Sequence, residues 1–220
     1  MPNHFGLTTN EGKYGLKLTR ENYAIISNKN SLPKFSVNIY ADDEGKTYSD
    51  TWCQKQMDDC LKNFDLNMKF FSELDHTKFN EEINVFLQKN KNFREVFDLN
   101  LYYRKSGYYM LVLDEYCQVY IGTTQDIKAR ISQHWAKRKQ FDRLLFPMGA
   151  VNTSLLSIDS FRAFDTTRIY ALETLITYDH EDGYINQFSP EFASNRLAGG
   201  KVGKVGLLQA ILMMKNRKLT

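Results

Sequence analysis

The chain has 220 residues, a formal net charge of +3, 42% hydrophobic and 25% charged residues. That length accommodates one large domain or two small ones, and the composition is that of a globular protein. No apolar run approaches the ~20 residues that cross a bilayer, and the first residues lack the basic start and apolar core of a secretion signal, so the expected setting is cytoplasmic, without a membrane partner.

Taken in chain order, residues 1–48 hold several short strand signals. The clearest is 35–41, with a turn at Asp42-Asp43-Glu44-Gly45. Asp50 is placed to cap a helix running to about Phe64, whose stripe contains Cys53, Met57, Cys60, Leu61 and Phe64. Two cysteines in such a stripe are read as reduced core residues, and Cys117 likewise as packing. The four histidines make no zinc-ligand spacing with the cysteines. A second helix is expected at 77–90 from the recurrence of Phe79, Ile83, Phe86 and Leu87. There is no internal repeat or low-complexity linker.

A boundary is placed near residue 100, where charge changes sign. The first hundred residues carry 13 Lys+Arg against 15 Asp+Glu and the remainder 16 against 11. Residues 1–100 are therefore read as an N-terminal α+β accessory region and 101–220 as a second domain. The basic excess of the second suits a polyanion, although an ordinary basic surface looks much the same. The first carries no motif. A DNA-reading module, an interaction module for a partner protein and a packing extension all fit it.

Residues 108–113 and 117–121 are rich in aromatic and β-branched residues and flank the polar pair Asp114-Glu115, a hairpin signal. A turn centred on that pair sets Tyr109 opposite Tyr120 with both rings on one face, whereas a loop of odd length separates them. Asp126 can cap the next helix. In that helix Ile127, Ile131 and Trp135 form the buried stripe, and Arg130 and His134, four apart, share an adjacent face. Two phenols and an Arg–His pair thus converge.

Lys137, Arg138 and Lys139 follow, either as a solvated helix end complementing the helix dipole or as phosphate contacts. Residues 155–158 read as a third strand. Asp165 or Thr166 can cap a helix at 166–179 with the stripe Ile169, Leu172, Ile176. Glu173 falls against that stripe and needs a donor or cation there, such as Arg168 or Arg196. Residues 199–206 are glycine-rich and basic, but Val202 follows Gly199-Gly200-Lys201 where a phosphate-binding P-loop requires Ser or Thr. The stretch is read as a helix connection or as a loop whose amides approach DNA phosphate. Arg196, Lys201 and Lys204 are its DNA-binding candidates, and a last helix is expected at 207–215.

The residues Gly107-Tyr108-Tyr109, Tyr120-Ile121-Gly122, Arg130 and His134 resemble, in type and spacing, the GIY-YIG nuclease family, over roughly residues 105–206. Tyr108 stands where the family usually has isoleucine. The resemblance implies an α+β nuclease domain with a three-stranded antiparallel sheet flanked by helices. It also implies a metal-binding glutamate on a helix after the third strand, for which Glu173 in Leu172-Glu173-Thr174-Leu175-Ile176 is the candidate. A later asparagine is implied too, with Asn195 preferred over Asn186 because Gly199-Gly200 follows it. Some members carry lysine just after the second motif; Thr123 stands there, which points to His134 as the proton partner.

The expected activity is divalent-metal-dependent DNA cleavage leaving 5′-phosphate and 3′-hydroxyl ends, with a binding or adaptor protein on the same fold as the alternative. Glu173 would hold Mg²⁺, with Mn²⁺ as the second candidate. Arg130 would offer its planar fork to the scissile phosphate. Tyr109 or Tyr120 would orient or deprotonate the water, and His134 would accept or relay the proton.

Overall fold

The computed structural model describes residues 2–10, 17–24, 50–136, 139, 141–146, 149–175 and 180–195. The expected strand at 35–41, the glycine-rich segment and the last helix lie outside these residues, as do Lys137, Arg138, Arg196, Lys201 and Lys204.

The fold is α+β. Two short strands, β1 (Asn3–His4) and β2 (Leu7–Thr8), form an antiparallel ribbon, and a short helix α1 (Arg20–Tyr23) follows. Two long helices come next, α2 (Asp50–Ser72) and α3 (His76–Lys89). The first runs two turns beyond its expected end. The second is capped by Asp75, whose Oδ1 accepts from the Thr77 and Lys78 amides at 2.8 and 3.1 Å. A single sheet contains β3 (Arg94–Glu95), β4 (Gly107–Leu113), β5 (Gln118–Thr124) and β6 (Arg168–Glu173), antiparallel throughout in the order β3-β6-β4-β5. Helix α4 (Ile127–Ala136) follows β5, and α5 (Glu181–Ile185) follows β6.

Strand β4 is central and wholly buried, which accounts for its unbroken apolar run. Tyr109, Leu111 and Leu113 face one core with Ile127, Ile131 and Trp135 of α4 and Cys60, Phe64 and Phe71 of α2. Tyr108, Met110 and Val112 face another with Phe79, Ile83 and Phe86 of α3. The period-2 alternation of the strand thus divides its side chains between two layers of helix. Each layer draws on residues before and after position 100, so the division expected there is not a division of the core. The three cysteines are buried.

The hairpin keeps the expected faces but not the expected pairing. The β4–β5 connection is a 3₁₀ turn, Asp114–Tyr116, closed by Cys117 in the left-handed region at φ 47°. Four residues, Asp114, Glu115, Tyr116 and Cys117, separate the strands instead of two. Tyr109 therefore pairs with Gly122, and Tyr120 with Leu111. The shift is even, so both phenols still face the same side. Asp114 fixes the turn from outside, accepting from Thr167 Oγ1 at 2.6 Å and from Arg168.

Three expectations need correction. The sheet has four strands, because the two-residue β3 adds an edge to the expected three. Residues 155–158 are not a strand. The carbonyl of Ser154 accepts from Asn63 and Asn67 at 2.7 and 3.0 Å, and the Leu156 amide donates to Asn67 Oδ1 at 3.3 Å, so side chains of α2 take up the hydrogen bonds a ladder would have supplied. The expected helix at 166–179 begins instead as β6. Ile169 and Ala171 are buried against one core and Tyr170 against the other. A strand buried on both faces has no polar side to alternate with, and Ile169 and Leu172 then imitate a helical period. Pairing with β4 along six residues decided the outcome.

Candidate functional site

Asp126 caps α4 as expected, its Oδ1 accepting from the Ala129 amide at 2.9 Å. The helix then sets Arg130 and His134 one turn apart over β4 and β5. The rings of Tyr109 and Tyr120 are 6.2 Å apart, and that of His134 lies 6.0 and 5.2 Å from them. The Tyr109 hydroxyl is 2.8 Å from His134 Nε2, and the charge of Arg130 bears on both phenols. Tyr109 and His134 are buried, whereas Tyr120 is half-buried. Gly122 makes this arrangement possible. It sits opposite Tyr109, and a Cβ there would lie 2.4 Å from the Tyr109 hydroxyl. The glycine of the second motif therefore keeps room for the phenol of the first.

His134 has a second partner that the sequence did not suggest. Its Nδ1 lies 2.7 Å from Asp159 Oδ1, with the other carboxylate oxygen 3.7 Å from Lys139 Nζ. Asp159 belongs to a 3₁₀ turn, Ile158–Ser160, entered through Ser157, whose hydroxyl accepts from the Asp159 amide at 3.4 Å. Lys139 is thus bound to a site carboxylate. Burial pushes the Asp159 pKa up, but the hydrogen bond and charge of His134, with Lys139 and Arg130 behind it, outweigh that and hold the carboxyl below its ordinary range.

Burial pushes the Tyr109 phenol well above its usual pKa and Tyr120 up to about 12, with the Arg130 charge opposing both. The Arg130 guanidinium is itself held more firmly protonated, since Tyr109, Tyr120 and Asp159 outweigh its desolvation. It donates to Gln133 Oε1 at 2.8 Å.

Asn195 is buried and clamps β5. Its Nδ2 donates to the Ile121 carbonyl at 2.7 Å, and its Oδ1 accepts from the Ile121 amide at 3.1 Å. The preceding residues run along the same edge, with Val119 N donating to the Phe192 carbonyl at 2.7 Å. Asn195 thus fixes the strand between Tyr120 and Gly122. Asn186 only ends α5.

Glu173 is the residue whose place differs most from expectation. It ends β6 opposite Gly107 and is not on a helix. Its carboxylate meets Lys105 Nζ at 2.8 Å, with the side chain 55% exposed. The carboxylate whose charge bears on Tyr109, Tyr120 and Arg130 is Glu181, the first residue of α5. Glu181 is buried; desolvation and then Asp182 push its pKa up to about 7, against the Arg130 charge and a hydrogen bond from the Thr123 backbone. The sequence held a signal for it. Once the third strand is placed at Arg168–Glu173, the helix after it begins at Glu181.

Among the described residues, no group of three or more His, Cys, Asp or Glu converges as a metal cage, and no helix is long and apolar enough to cross a membrane. A buried carboxylate whose pKa desolvation has raised does fit one hard divalent cation completed by water and phosphate oxygens. In comparisons with known proteins, the chain matches no family model, no curated protein and no solved structure.

Proposed function

We propose that this protein is a divalent-metal-dependent DNA endonuclease of the GIY-YIG type, hydrolysing phosphodiester bonds to leave 5′-phosphate and 3′-hydroxyl ends. The observation that carries the reading is the convergence of Tyr109, Tyr120 and His134, with the charges of Arg130 and Glu181 bearing on the phenols. The antiparallel run of the three long strands β4, β5 and β6, with α4 after β5 and α5 after β6, supports the reading. The short β3 is an addition.

Each side chain has a task suited to its chemistry. Arg130 presents a permanently charged fork to two oxygens of the scissile phosphate and stabilises the charge that builds there. The phenols orient the attacking water and take its proton towards His134. Asn195 keeps β5, and with it Tyr120, in register. Glu181 takes the place first given to Glu173 and would hold Mg²⁺, or Mn²⁺ in its stead. When bound, that ion supplies Lewis-acid stabilisation of phosphate and leaving-group oxygens. Lys105 and Glu173 neutralise each other beyond this group.

The test is nicking of supercoiled plasmid in Mg²⁺ or EDTA, with a branched-DNA panel in parallel. Wild type cuts in Mg²⁺ alone, Glu181→Gln loses activity by on the order of 10²-fold or more, and Glu173→Gln retains it. Loss in Glu173→Gln with full activity in Glu181→Gln would reverse the assignment of the carboxylate. Binding without cleavage on every DNA would leave the adaptor reading in its place.

A further inference from the structure

We propose that Asp159 is a positioning residue that fixes His134 in the tautomer able to receive the proton of the attacking water through Tyr109 and Tyr120. The inference rests on the nuclease reading above and adds a member that no motif of the sequence contains.

The hydrogen-bond directions follow from donor and acceptor capacity. An ionised carboxylate only accepts, so the His134 Nδ1 facing Asp159 at 2.7 Å carries the hydrogen. In the neutral ring Nε2 is then an acceptor, and it points at the Tyr109 hydroxyl 2.8 Å away. The Tyr109 hydrogen is therefore directed to Nε2. Tyr109 has no exposed surface, whereas Tyr120 is half-buried with its ring 6.2 Å from that of Tyr109. Tyr120 is thus the phenol that meets water, and Tyr109 is the link behind it.

The proton transfer balances along this chain. A water O–H bond breaks and its hydrogen bonds the Tyr120 oxygen, while the Tyr120 hydrogen passes to Tyr109 and the Tyr109 hydrogen to His134 Nε2. The water oxygen keeps the electron pair and bonds phosphorus. The bond from phosphorus to the leaving oxygen breaks, and that oxygen keeps its pair and takes a proton from solvent. Both phenols end neutral. The charge resides on the imidazolium, matched by Asp159, and His134 returns its proton to solvent afterwards. A chain of this kind avoids leaving a phenolate in a buried site where both phenols resist ionisation. Lys139, at the outer oxygen of Asp159, keeps a cation against the carboxylate while the inner oxygen serves the ring. Among the described residues, Arg130 and Glu181 are the other charged groups whose fields reach the two phenols.

The test joins a spectroscopic readout to a kinetic one. In metal-free, full-length protein labelled with ¹⁵N-histidine, long-range ¹H–¹⁵N correlation reports the His134 tautomer without any need for cleavage. Wild type is expected to show neutral His134 protonated on Nδ1. Asp159→Asn is expected to lose that preference and to nick plasmid more slowly by ~10²–10⁴-fold, with DNA affinity unchanged, the pattern expected when a triad carboxylate that sets a tautomer is removed. Protonation on Nε2 in a wild type that cleaves, or a wild-type rate in a folded Asp159→Asn, would overturn the role of Asp159. The Nδ1 tautomer in a wild type that cleaves no DNA would overturn the nuclease reading, and the relay with it. The wild-type measurement needs no variant, so a poorly folding substitution does not remove the test.

Discussion

At the scale of single residues, the buried Glu181 and the partly buried Asp159 are carboxylates pushed in opposite directions. Asp159 has His134 and Lys139 beside it and stays ionised, whereas Glu181 is driven up to about 7 by desolvation and then by the like charge of Asp182. A carboxyl whose folded pKa exceeds its unfolded value binds its proton more tightly in the native state. Without metal, stability should therefore fall as pH rises from the ordinary carboxylate range through about 7, by at most about 3 kcal/mol. Thermal unfolding in EDTA across pH 4.5–8.5 should show this decline in wild type and a flatter curve in Glu181→Gln. Added Mg²⁺ should raise the wild-type Tm at pH 8 more than at pH 5, and it should leave Glu181→Gln unmoved at both. Equal Mg²⁺ shifts in the two proteins would remove Glu181 as the ligand. Neither carboxylate lies within a motif, and only burial and neighbours distinguish it from the exposed acids around it.

At the scale of elements, α2 holds more than an apolar stripe. Gln56, Asn63 and Asn67 are buried among its cysteines and phenylalanines. Gln56 Nε2 donates to the Phe141 carbonyl at 2.9 Å, and Asn63 Nδ2 to the Val151 and Ser154 carbonyls at 2.6 and 2.7 Å. These amides support the described residues between Phe141 and Asp159, among which there is no strand. Asn63→Ala should leave the Val151 carbonyl unsatisfied and cost roughly 1–3 kcal/mol, measurable as a lower midpoint in urea with the slope unchanged. A Leu at 63 should not restore stability, because the carbonyl would still face an apolar group. The sequence stripe indicated a helix here and named its apolar members. The polar members follow the same spacing, but their value depends on carbonyls some eighty to ninety residues away.

For the molecule as a whole, the central strand β4 is covered on one side by α2 and α4 and on the other by α3. The N-terminal ribbon is tied in as well. His4 Nε2 lies 2.9 Å from the Thr166 carbonyl, and the Leu18 amide donates to Asp165 Oδ2 at 2.9 Å. Deleting residues 1–98 would strip α2 and α3 from both faces of the sheet. The remaining chain should lose near-UV circular dichroism and amide dispersion. Retention of a native spectrum would instead make those residues a separable accessory region. Substitutions such as Glu181→Gln are therefore the sound way to dissect this protein, and truncation is not.

What the sequence determined by itself was local. The hairpin, the shared face of Tyr109 and Tyr120, the Asp126 cap and the turn separating Arg130 from His134 follow from periods of two and of 3.6 residues within about thirty positions. They hold whatever packs against them. Even the misplaced turn left the phenols together, because an even change in loop length preserves strand parity. Tertiary structure decided the rest: that residues 168–173 are a strand, that Glu173 faces Lys105, that Asp159 bonds His134, that the charge of Glu181 bears on the tyrosines, and that the core passes through residue 100. A segment buried on both sides shows no amphipathic period to identify it. The pKa and partners of a carboxylate are set by groups distant in sequence, whose positions only the packed chain fixes.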